Sequence, residues 1–380
     1  MKQNRLKALI IRNAYPFDFG GGERFPVDLA SELAANNVSA IIVSRSKKLL
    51  DYARAQDIAH KRGWWLSRQN WGGWHTVLLP IYFAWQLVLV FWYLSLVIRN
   101  HIDVVHAQSR DDFIAATIAG RLLGRRVIWS DHADLKYIYA NHRVWYKNPI
   151  GKIVYWLSRQ TYAVALVSKN ELKHIEESLG RTVPDNYRVA YMGVPSTKVT
   201  PTRRALEDKH AIIFGATSRL VTAKGIGELI EAFTQLGRPE SRLWLFGEGL
   251  EAKRFETMAS SNKRIVFWGF PPDTLSNLAA CDVFVHPSYH EGFSISLIEA
   301  AKLGLPIIAC DVGGNPELVT NEKNGLLVPA HDAQALAVAM EKLADNPDLR
   351  KAYGEASRKV YEANFIFENA VRERFLPLYE

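Results

Sequence analysis

Cysteine is scarce in this 380-residue sequence, which contains only Cys281 and Cys310. Both lie in short apolar runs typical of strands, and neither belongs to a Cys-x-x-Cys or Cys/His pattern. This scarcity argues against a disulfide framework and against a zinc site, and we expect a reducing cytoplasm. We also expect no cleavable signal peptide, because the first apolar run, KALIIR, indicates a first strand.

The sequence also lacks the two common phosphate-loop motifs, although glycines follow its first predicted strand. Residues 16–37, PFDFGGGERFPVDLASELAANN, show neither G-x-G-x-x-G spacing nor a P-loop lysine, so a bound dinucleotide or ATP is not indicated. Three glycines before an amphipathic helix let backbone amides approach an anion at the helix N-terminus. A plain tight turn explains the same glycines equally well.

Positive charge is concentrated in the first half of the chain. The formal net charge is +8, but residues 1–190 contain 26 lysines and arginines against 15 acidic residues, a net of +11. This excess predicts that the first half faces either nucleic acid or an anionic membrane, or that it is a solvated surface without a partner. Because no recognised nucleic-acid-binding motif accompanies the charge, we predict no nucleic-acid partner.

Short apolar runs alternate with helix-length amphipathic segments along the chain. The strand candidates are KALIIR, SAIIVS, DVVHA, RVIWSD and AVALVS in the first half, and HAIIFGA, RLWLFG, IVFWGF, VFVHPS and PIIAC in the second. Continuous hydrophobic strands separated by helices predict parallel sheets that are covered on both faces. Two such sets predict an α/β protein of two doubly wound, Rossmann-like domains, joined within residues 191–209. Ligands of such sheets bind beyond the carboxyl ends of the strands, so we expect the site in a cleft between the domains.

One apolar segment, residues 77–98, contains 22 residues without a charge and is long enough to span a bilayer. Pro80 interrupts its start, and the segment leads directly into the next predicted strand. We therefore predict a buried or interfacial helix rather than a spanning one. Tryptophans near lysine and arginine, typical of a membrane interface or of a loop packed on its own domain, precede it: Trp64, Trp65, Trp71 and Trp74.

Two cations bracket the loop that follows the first strand of the second half. Arg219 and Lys224 lie in residues 214–233, FGATSRLVTAKGIGELIEAF, beside a predicted helix start. Such a pair forms a plausible cradle for a diphosphate, and two solvated basic residues are the alternative interpretation. No acidic pair stands close by in the sequence to hold a metal ion, and fixed cations remove the need for one. We therefore predict neither a metal nor a cofactor.

Residues 290–314, HEGFSISLIEAAKLGLPIIACDVGG, place two glutamates eight positions apart around a helix start. Ser294 is a candidate N-cap, which leaves the amides of the next three residues free to meet a phosphate. An ionised glutamate can only accept hydrogen bonds, so Glu291 and Glu299 are expected to face hydroxyl groups, of a sugar ring and of a ribose. Together with the two cations, this pattern predicts a nucleotide-sugar site.

The same segments resemble family 4 retaining glycosyltransferases of the GT-B fold. The stretch HEGFSISLIEAAKLGLPIIACDVGGNPELV, with its E-x7-E spacing, is similar to the family signature, and SRLVTAKGI, DVVHAQS, the GGGE loop and YMGVP also resemble the family. The resemblance covers nearly the whole chain. It implies two Rossmann-like domains facing a cleft, with an acceptor-binding domain at 1–195, a nucleotide-sugar-binding domain at 196–362, and a C-terminal helix at 363–380 that crosses back to the first domain.

The resemblance also implies roles for individual residues. Arg219 and Lys224 would bind the donor diphosphate, Glu299 would bind the ribose, and Glu291 would bind the donor sugar. His132, after a first-domain strand, would lie near the reacting centre and act in catalysis with Glu291, Arg219 and Lys224. The implied donor-binding residues are Gly21, Gly22, Arg219, Lys224, Glu291, Gly292, Phe293, Ser294, Ile295, Ser296, Leu297 and Glu299.

The reaction implied by the resemblance is metal-independent transfer of a sugar from a nucleoside-diphosphate sugar with retention at the anomeric carbon. The leaving phosphate would help to take the proton of an acceptor that attacks from the same face. The segment Asp51–Trp74 departs from the family, and the 77–98 helix is more apolar than usual. We expect a lipid-linked or glycan acceptor in cell-surface polysaccharide or glycolipid synthesis, and peripheral contact of the first domain with the anionic inner face of the cytoplasmic membrane.

Three other functions are compatible with parts of this pattern. A non-catalytic sugar-nucleotide-binding protein would use the same pocket without turnover. A sugar-nucleotide epimerase of similar architecture would bind the same donor but would need more acid/base residues and no acceptor surface. A nucleic-acid-binding protein would explain the basic first half but not the E-x7-E segment.

Overall fold

The structure, a computed structural model, describes residues 5–13, 21–64, 79–132, 135, 149–201 and 211–380. The chain separates into two compact units. The first comprises Met1–Tyr191 together with Glu368–Glu380, and the second comprises Met192–Phe367. Each unit contains its own parallel sheet and its own hydrophobic core. The domain limits at residues 195 and 362 remain predictions.

The first unit is built on a seven-stranded parallel sheet with the order β3-β2-β1-β4-β5-β6-β7. In the register of this sheet, Leu9 lies between Ile41 and Val105. The central strands are buried on both faces, which is why continuous apolar runs form them. The strands are β1 (Leu6–Ile11), β2 (Val38–Ser44), β3 (His60–Arg62), β4 (Val104–Ala107), β5 (Arg126–Asp131), β6 (Ala163–Leu166) and β7 (Tyr187–Val189).

Helices connect these strands, and the reversal of strand order after β3 places them on both faces of the sheet. The first two helices contact each other, whereas α4 contacts both α3 and α5. The helices are α1 (Gly21–Ala35), α2 (Lys47–Ala55), α3 (Leu79–Asn100), α4 (Phe113–Leu122), α5 (Pro149–Ser158) and α6 (Lys169–Leu179), with a 3₁₀ turn at Arg110–Asp112.

Helix α3 corresponds to the apolar segment predicted at residues 77–98. By length and composition, Pro80–Asn100 is long and apolar enough to cross a membrane, and 39% of its most apolar window is buried within the protein. One face packs in the core through Leu89, Tyr93 and Val97. The other face exposes large apolar side chains, among them Leu87 and Phe91. The tryptophans predicted upstream lie outside the described residues, except Trp64, which packs edge-on against Trp85 and Trp92 of α3.

The second unit is built on a six-stranded parallel sheet with the order β10-β9-β8-β11-β12-β13. Its strands are β8 (Ile213–Thr217), β9 (Arg242–Phe246), β10 (Ile265–Gly269), β11 (Val283–His286), β12 (Ile307–Cys310) and β13 (Gly325–Val328). Its helices are α7 (Ile226–Gln235), α8 (Ala252–Met258), α9 (Thr274–Leu278), α10 (Ile295–Lys302), α11 (Asn315–Leu318), α12 (Ala333–Asp345) and α13 (Pro347–Asn364), with a 3₁₀ turn at Thr222–Lys224.

The C-terminal residues Glu368–Glu380 belong to the first unit. They fall within α14 (Phe367–Ala370), a π-helical turn at Val371–Phe375, and α15 (Leu376–Tyr379). The buried hydroxyl of Tyr379 lies 2.5 Å from Nδ1 of His106 on β4. The Tyr379 carbonyl accepts a hydrogen bond of 2.7 Å from Arg126 at the start of β5. These contacts fix the end of the chain against the first sheet.

Candidate functional site

Two loops at the carboxyl edge of the second sheet pack closely against each other. The loop after β8 ends at Gly225, whose φ of +65° lies in the left-handed region. A Cβ atom at Gly225 would stand 2.0 Å from the carbonyl oxygen of Pro287, in the loop after β11. The amide of Tyr289 donates to the carbonyl of Ala223 over 3.0 Å. Glycine is therefore required at residue 225, and the two loops hold each other in place.

These loops bring Lys224 and Glu291 together with His286, the last residue of β11. Nζ of Lys224 lies 2.5 Å from Oε1 of Glu291, and Nε2 of His286 lies 2.9 Å from the same oxygen. The side chain of His286 is buried, and that of Glu291 is only 10% exposed. Burial acts to raise the pKa of Glu291, but the hydrogen bond and charge of His286, followed by those of Lys224, outweigh it and hold that pKa well below its usual value. Glu291 is therefore a fixed carboxylate that accepts hydrogen bonds.

The glycine pair that follows the E-x7-E segment supports the backbone of Glu291. Gly313 has a φ of +56°, and a Cβ atom there would stand 1.8 Å from the Glu291 carbonyl oxygen. The loop after β12 can approach this closely only because residue 313 has no side chain. The backbone of Gly313 thus packs directly against the backbone of Glu291 and helps to fix its position.

Helix α10 begins directly after this loop, with Ser294 at the predicted N-cap position. The Ser294 hydroxyl makes no capping hydrogen bond and instead lies 2.9 Å from the hydroxyl of Ser296. The amides of the first helical turn have no carbonyl partner within a helix, and here the cap side chain does not accept from them either. Buried Phe293 packs against Phe365 and anchors this turn. The helix start therefore presents amide donors of the kind that bind phosphate oxygens.

The remaining predicted donor residues lie on the same elements. Arg219 is exposed in the loop after β8, five residues before Lys224. Glu299 is half-buried in the second turn of α10, and Gly292 directly follows Glu291. The structure thus pairs Lys224 with Glu291, whereas the predicted contacts of Arg219 with a diphosphate and of Glu299 with a ribose remain predictions.

His286 was missed by the sequence analysis, although a signal for it exists. It is a polar residue at the carboxyl end of the continuous apolar strand VFVH, which is where open α/β sheets place functional side chains. A second missed contact is Glu251, whose carboxylate accepts a hydrogen bond of 2.7 Å from the Thr222 hydroxyl and so fastens the 3₁₀ turn that contains Lys224.

In the first unit, polar residues follow three neighbouring strands at their carboxyl ends. Arg12 follows β1, Gln108 follows β4 and His132 follows β5. A guanidinium nitrogen of Arg12 donates to the Gln108 carbonyl over 2.7 Å. Both amide atoms of the buried Gln108 side chain, and Nε2 of His132, lack a hydrogen-bond partner among the described residues. Such unpaired buried atoms are costly unless a ligand meets them.

His132 is uncharged at neutral pH in this environment. Its pKa is lowered well below the usual value, chiefly by burial and further by the positive charge of Arg12 and by His106. The ring packs edge-on against Phe25 of α1, with 6.2 Å between the ring centroids. Gly21 and Gly22 form the first turn of α1, and a Cβ atom at Gly22 would meet nothing within 4 Å. Their predicted contact with the donor phosphates remains a prediction.

Within the described part of the chain, no group of three histidine, cysteine, aspartate or glutamate side chains is arranged to hold a metal ion. The metal independence of the reaction remains a prediction, since it follows from the sequence and not from this arrangement.

Two doubly wound parallel sheets, with the second carrying a cation, a carboxylate and free helix amides at its carboxyl edge, define the GT-B class of proteins. A family model described as Glycosyl transferases group 1 matches residues 201–360, and one described as Glycosyltransferase Family 4 matches residues 19–198. The chain belongs to this glycosyltransferase family, as the sequence resemblance predicted.

Individual relatives agree with this assignment. EpsD of Bacillus subtilis is 27% identical over 282 residues, which cover 68% of this chain and 71% of EpsD. The GDP-mannose-dependent monoacylated alpha-(1-6)-phosphatidylinositol monomannoside mannosyltransferase of Corynebacterium glutamicum is 34% identical over 168 residues, which cover 41% of this chain and 44% of that protein. The match therefore spans less than half of the mannosyltransferase.

Solved structures share the fold over nearly the whole chain. A glycosyltransferase from Rickettsia africae has a TM-score of 0.78 at 19% identity, covering 99% of this chain and 98% of the other. HepE of Anabaena, in complex with UDP and glucose, has a TM-score of 0.76 at 20% identity, covering 97% and 98% of the two chains. At these identities the likeness establishes the GT-B fold.

Proposed function

We propose that this protein is a retaining glycosyltransferase that moves a sugar from a nucleoside-diphosphate sugar to a membrane-associated acceptor, in cell-surface polysaccharide or glycolipid synthesis. The observation that carries the proposal is the Lys224–Glu291–His286 cluster, held by two interlocked loops beside the unclaimed amides of α10. Cations and amides suit the diphosphate, and a fixed carboxylate suits sugar hydroxyls.

The donor would be bound by exchanging partners at Lys224. The Lys224 ammonium group is paired with Glu291. A diphosphate would compete for that ammonium group, and Arg219 on the same loop would add a second cation. Glu291 remains held by His286 through the exchange and stays ionised because of its lowered pKa. The carboxylate would then be oriented toward the hydroxyl groups of the transferred sugar.

In the transfer step, negative charge grows on the departing diphosphate. Lys224, Arg219 and the α10 amides are fixed donors that would stabilise this charge where it develops. No nucleophilic carboxylate pair of the type used by retaining hydrolases was predicted. The family resemblance implies same-face attack, and we include it in the proposal: the leaving phosphate helps to take the proton of the acceptor hydroxyl. Retention and metal independence both belong to this proposal.

The acceptor would be bound by the first unit. The uncharged Nε2 of His132 and the unpaired amide of Gln108 can each exchange a hydrogen bond with a hydroxyl group, as a glycan acceptor requires. The exposed apolar face of α3 and the neighbouring Trp64 suit an acceptor carried by lipid. We place the protein at the inner face of the cytoplasmic membrane, as a peripheral protein.

The names of related proteins support this substrate class. One relative is the GDP-mannose-dependent mannosyltransferase of C. glutamicum, named above. Another is the N,N'-diacetylbacillosaminyl-diphospho-undecaprenol alpha-1,3-N-acetylgalactosaminyltransferase of Campylobacter jejuni, 30% identical over 174 residues, which cover 46% of this chain and 45% of that protein. Both act on lipid-bearing acceptors by their names, although their sugars differ.

A donor screen tests the proposal. The purified protein is incubated with UDP-, GDP- and ADP-sugars, with and without a bacterial lipid extract, and nucleotide release is measured. We expect release from one donor, stimulated by the lipid. Nucleotide binding without release from any donor would instead identify a non-catalytic sugar-nucleotide-binding protein. Donor consumption that forms an isomeric nucleotide sugar would identify an epimerase.

A further inference from the structure

A cavity of about 530 Å³ opens at the amino-terminal edge of the first sheet. Nine residues line it, among them Thr161 and Tyr162. Four of the nine are arginines: Arg121, Arg125, Arg126 and Arg159. They come from the end of α4, the start of β5 and the loop before β6. Because parallel strands run in one direction, this edge is opposite to the one that carries Arg12, Gln108 and His132. The cavity is therefore separate from the residues assigned to transfer.

The charge of this cavity is only partly compensated. The Arg126 guanidinium donates to the Tyr379 carbonyl and lies 4.4 Å from the centre of the Tyr162 ring. Arg125 lies 3.7 Å from the Asp103 carboxylate. For the exposed side chains of Arg121 and Arg159, the described part of the chain offers no carboxylate within ion-pair distance. Guanidinium groups that line one cavity match a phosphate, to which each can donate two hydrogen bonds.

Exposed apolar side chains lie on the three helices that end at this edge, α3, α4 and α5. Leu122 at the end of α4 is 68% exposed, and Trp156 near the end of α5 is 59% exposed. On α3, which packs against α4, Phe91 is 64% exposed and Ile98 is 58% exposed. Tryptophan and leucine beside arginine are the residues that enter the boundary between lipid headgroups and acyl chains. A small soluble phosphate would not require them, whereas an anionic leaflet matches both the charge and the apolar rim.

We propose that the surface formed by α3, α4 and α5 docks on a leaflet that contains anionic phospholipid, and that the arginine cavity receives a headgroup phosphate. Leu122, Trp156 and Ile98 then enter the headgroup region, while Arg121 and Arg159 contact the phosphate. The inference rests on the membrane contact in the proposed function, not on the transfer chemistry. It assigns that contact to particular residues and to a class of lipid.

The test is sedimentation of the full-length protein with phosphatidylcholine vesicles, with and without about one third phosphatidylglycerol. We expect binding to the anionic vesicles that weakens as salt is added. The double variant R121A/R159A should lower the partition coefficient about 25-fold, at about five-fold for each arginine. Trp156→Ser should also weaken binding. Because these side chains are exposed, the thermal midpoints should stay unchanged.

The matched control removes the same charge from the second unit. Lys351 and Lys359 are exposed on α13, so K351A/K359A should change vesicle binding about two-fold or less. Equal losses in the two double variants would show attraction by net charge alone and would overturn the assignment to the cavity. So would the absence of vesicle binding by the wild type, or binding of soluble glycerol phosphate by the cavity without binding of vesicles.

The same samples separate this inference from the proposed function. Nucleotide release from a soluble donor should be retained in R121A/R159A, because neither arginine contacts the residues assigned to transfer. A protein that binds anionic vesicles through these arginines but releases no nucleotide would retain this inference and refute the transferase proposal. A protein that releases nucleotide but does not bind anionic vesicles would support the transferase proposal and refute this inference.

Discussion

Glu291 joins two loops that are far apart in the chain, since its partner Lys224 lies 67 residues earlier. Its carboxylate is held by two partners on one oxygen, and both favour the ionised form. The other carboxylate oxygen has no hydrogen-bond or ion-pair partner among the described residues. A group arranged in this way is ready to accept a hydrogen bond from a ligand hydroxyl while its own position stays fixed.

Replacing Glu291 with glutamine should change how stability depends on pH. The pKa of Glu291 is lowered in the folded chain, so its ionised form contributes stability above the unfolded pKa of about 4.5, and this contribution is lost as pH falls below that value. We expect wild type to have the higher thermal midpoint at pH 7 and the difference to shrink between about pH 5 and pH 3. Differential scanning fluorimetry across this range measures it.

Glu322→Gln is the matched control for this prediction. Glu322 also pairs with a lysine, Lys342 at 2.7 Å, but both side chains are exposed. An exposed pair contributes little, so this variant should follow the wild type at every pH. A Glu291→Gln variant whose difference from wild type stays constant with pH would show that the Glu291 carboxylate gains nothing from its partners.

Gly313→Ala should destabilise the protein more than Gly269→Ala, although the two glycines have similar φ angles. Both Gly313 and Gly269 have φ near +60°, but a Cβ atom at Gly269 meets nothing within 4 Å, whereas one at Gly313 meets the Glu291 carbonyl oxygen. Gly269→Ala should cost about 1–2 kcal/mol of unfolding free energy for the backbone conformation alone. Gly313→Ala must add the cost of moving the Glu291 loop. Urea denaturation measures the unfolding free energy of both variants. Equal losses in the two variants would show that the Glu291 loop moves without a free-energy cost.

At the scale of the element, the start of α10 lies at a ligand-binding edge of the sheet and has amide groups available to a ligand. The helix begins at the carboxyl edge of the second sheet, and its cap side chain leaves the first amides to a ligand. Ile295→Pro removes one of these amides while keeping the helix, because proline is accepted at the first helical position. Ser294, with φ −89° and ψ 118°, already has the extended conformation that a residue before proline prefers.

We expect Ile295→Pro to weaken nucleotide binding about ten-fold or more, since one charge-assisted hydrogen bond is lost. The thermal midpoint should change little. Ile295→Val, which retains the amide, is the control and should bind like the wild type. Isothermal titration with the nucleotide found in the donor screen gives both affinities. Unchanged affinity in the proline variant would exclude this amide from the phosphate site.

Elements differ in how far the sequence could predict them, and burial explains the difference. Strands such as β1 and β11 are buried on both faces, so each appears in the sequence as a continuous apolar run. The edge strands β3, HKR, and β7, YRV, have exposed polar residues and carry no such signal. The strand β13, GLLV, was also missed.

The candidate site, like the fold, could be predicted only in part from the sequence. Glu291, Ser294 and Lys224 were proposed as site residues because their types and spacing around helix starts carry the chemistry. The contact between Lys224 and Glu291 was not predicted, since it depends on loops that approach each other closely at Gly225 and Gly313. His286 was missed because a single histidine in a strand is more often structural, and only its place at the end of β11 distinguishes it.

At the scale of the whole molecule, the charge asymmetry of the sequence corresponds to different candidate sites in the two units. The basic first half contains the arginine cavity and the exposed face of α3. The second unit contains the Lys224–Glu291–His286 cluster. We propose that the first unit binds the acceptor and the membrane and that the second binds the donor; the family likeness implies the acceptor and donor roles, and the charge and exposed apolar residues support the membrane contact. The account therefore predicts that membrane binding and donor turnover can be lost separately.

The rate of nucleotide release at saturating donor, compared between wild type and Lys224→Met, tests the central claim most directly. Lys323→Met, at an exposed position of the same unit, is the control for loss of a positive charge. The account predicts that Lys224→Met lowers the rate by about 100- to 1000-fold, because a fixed cation no longer stabilises the departing diphosphate, and that Lys323→Met leaves it unchanged. A Lys224→Met variant that turns over like the wild type would contradict the assignment of this cluster as the site of transfer.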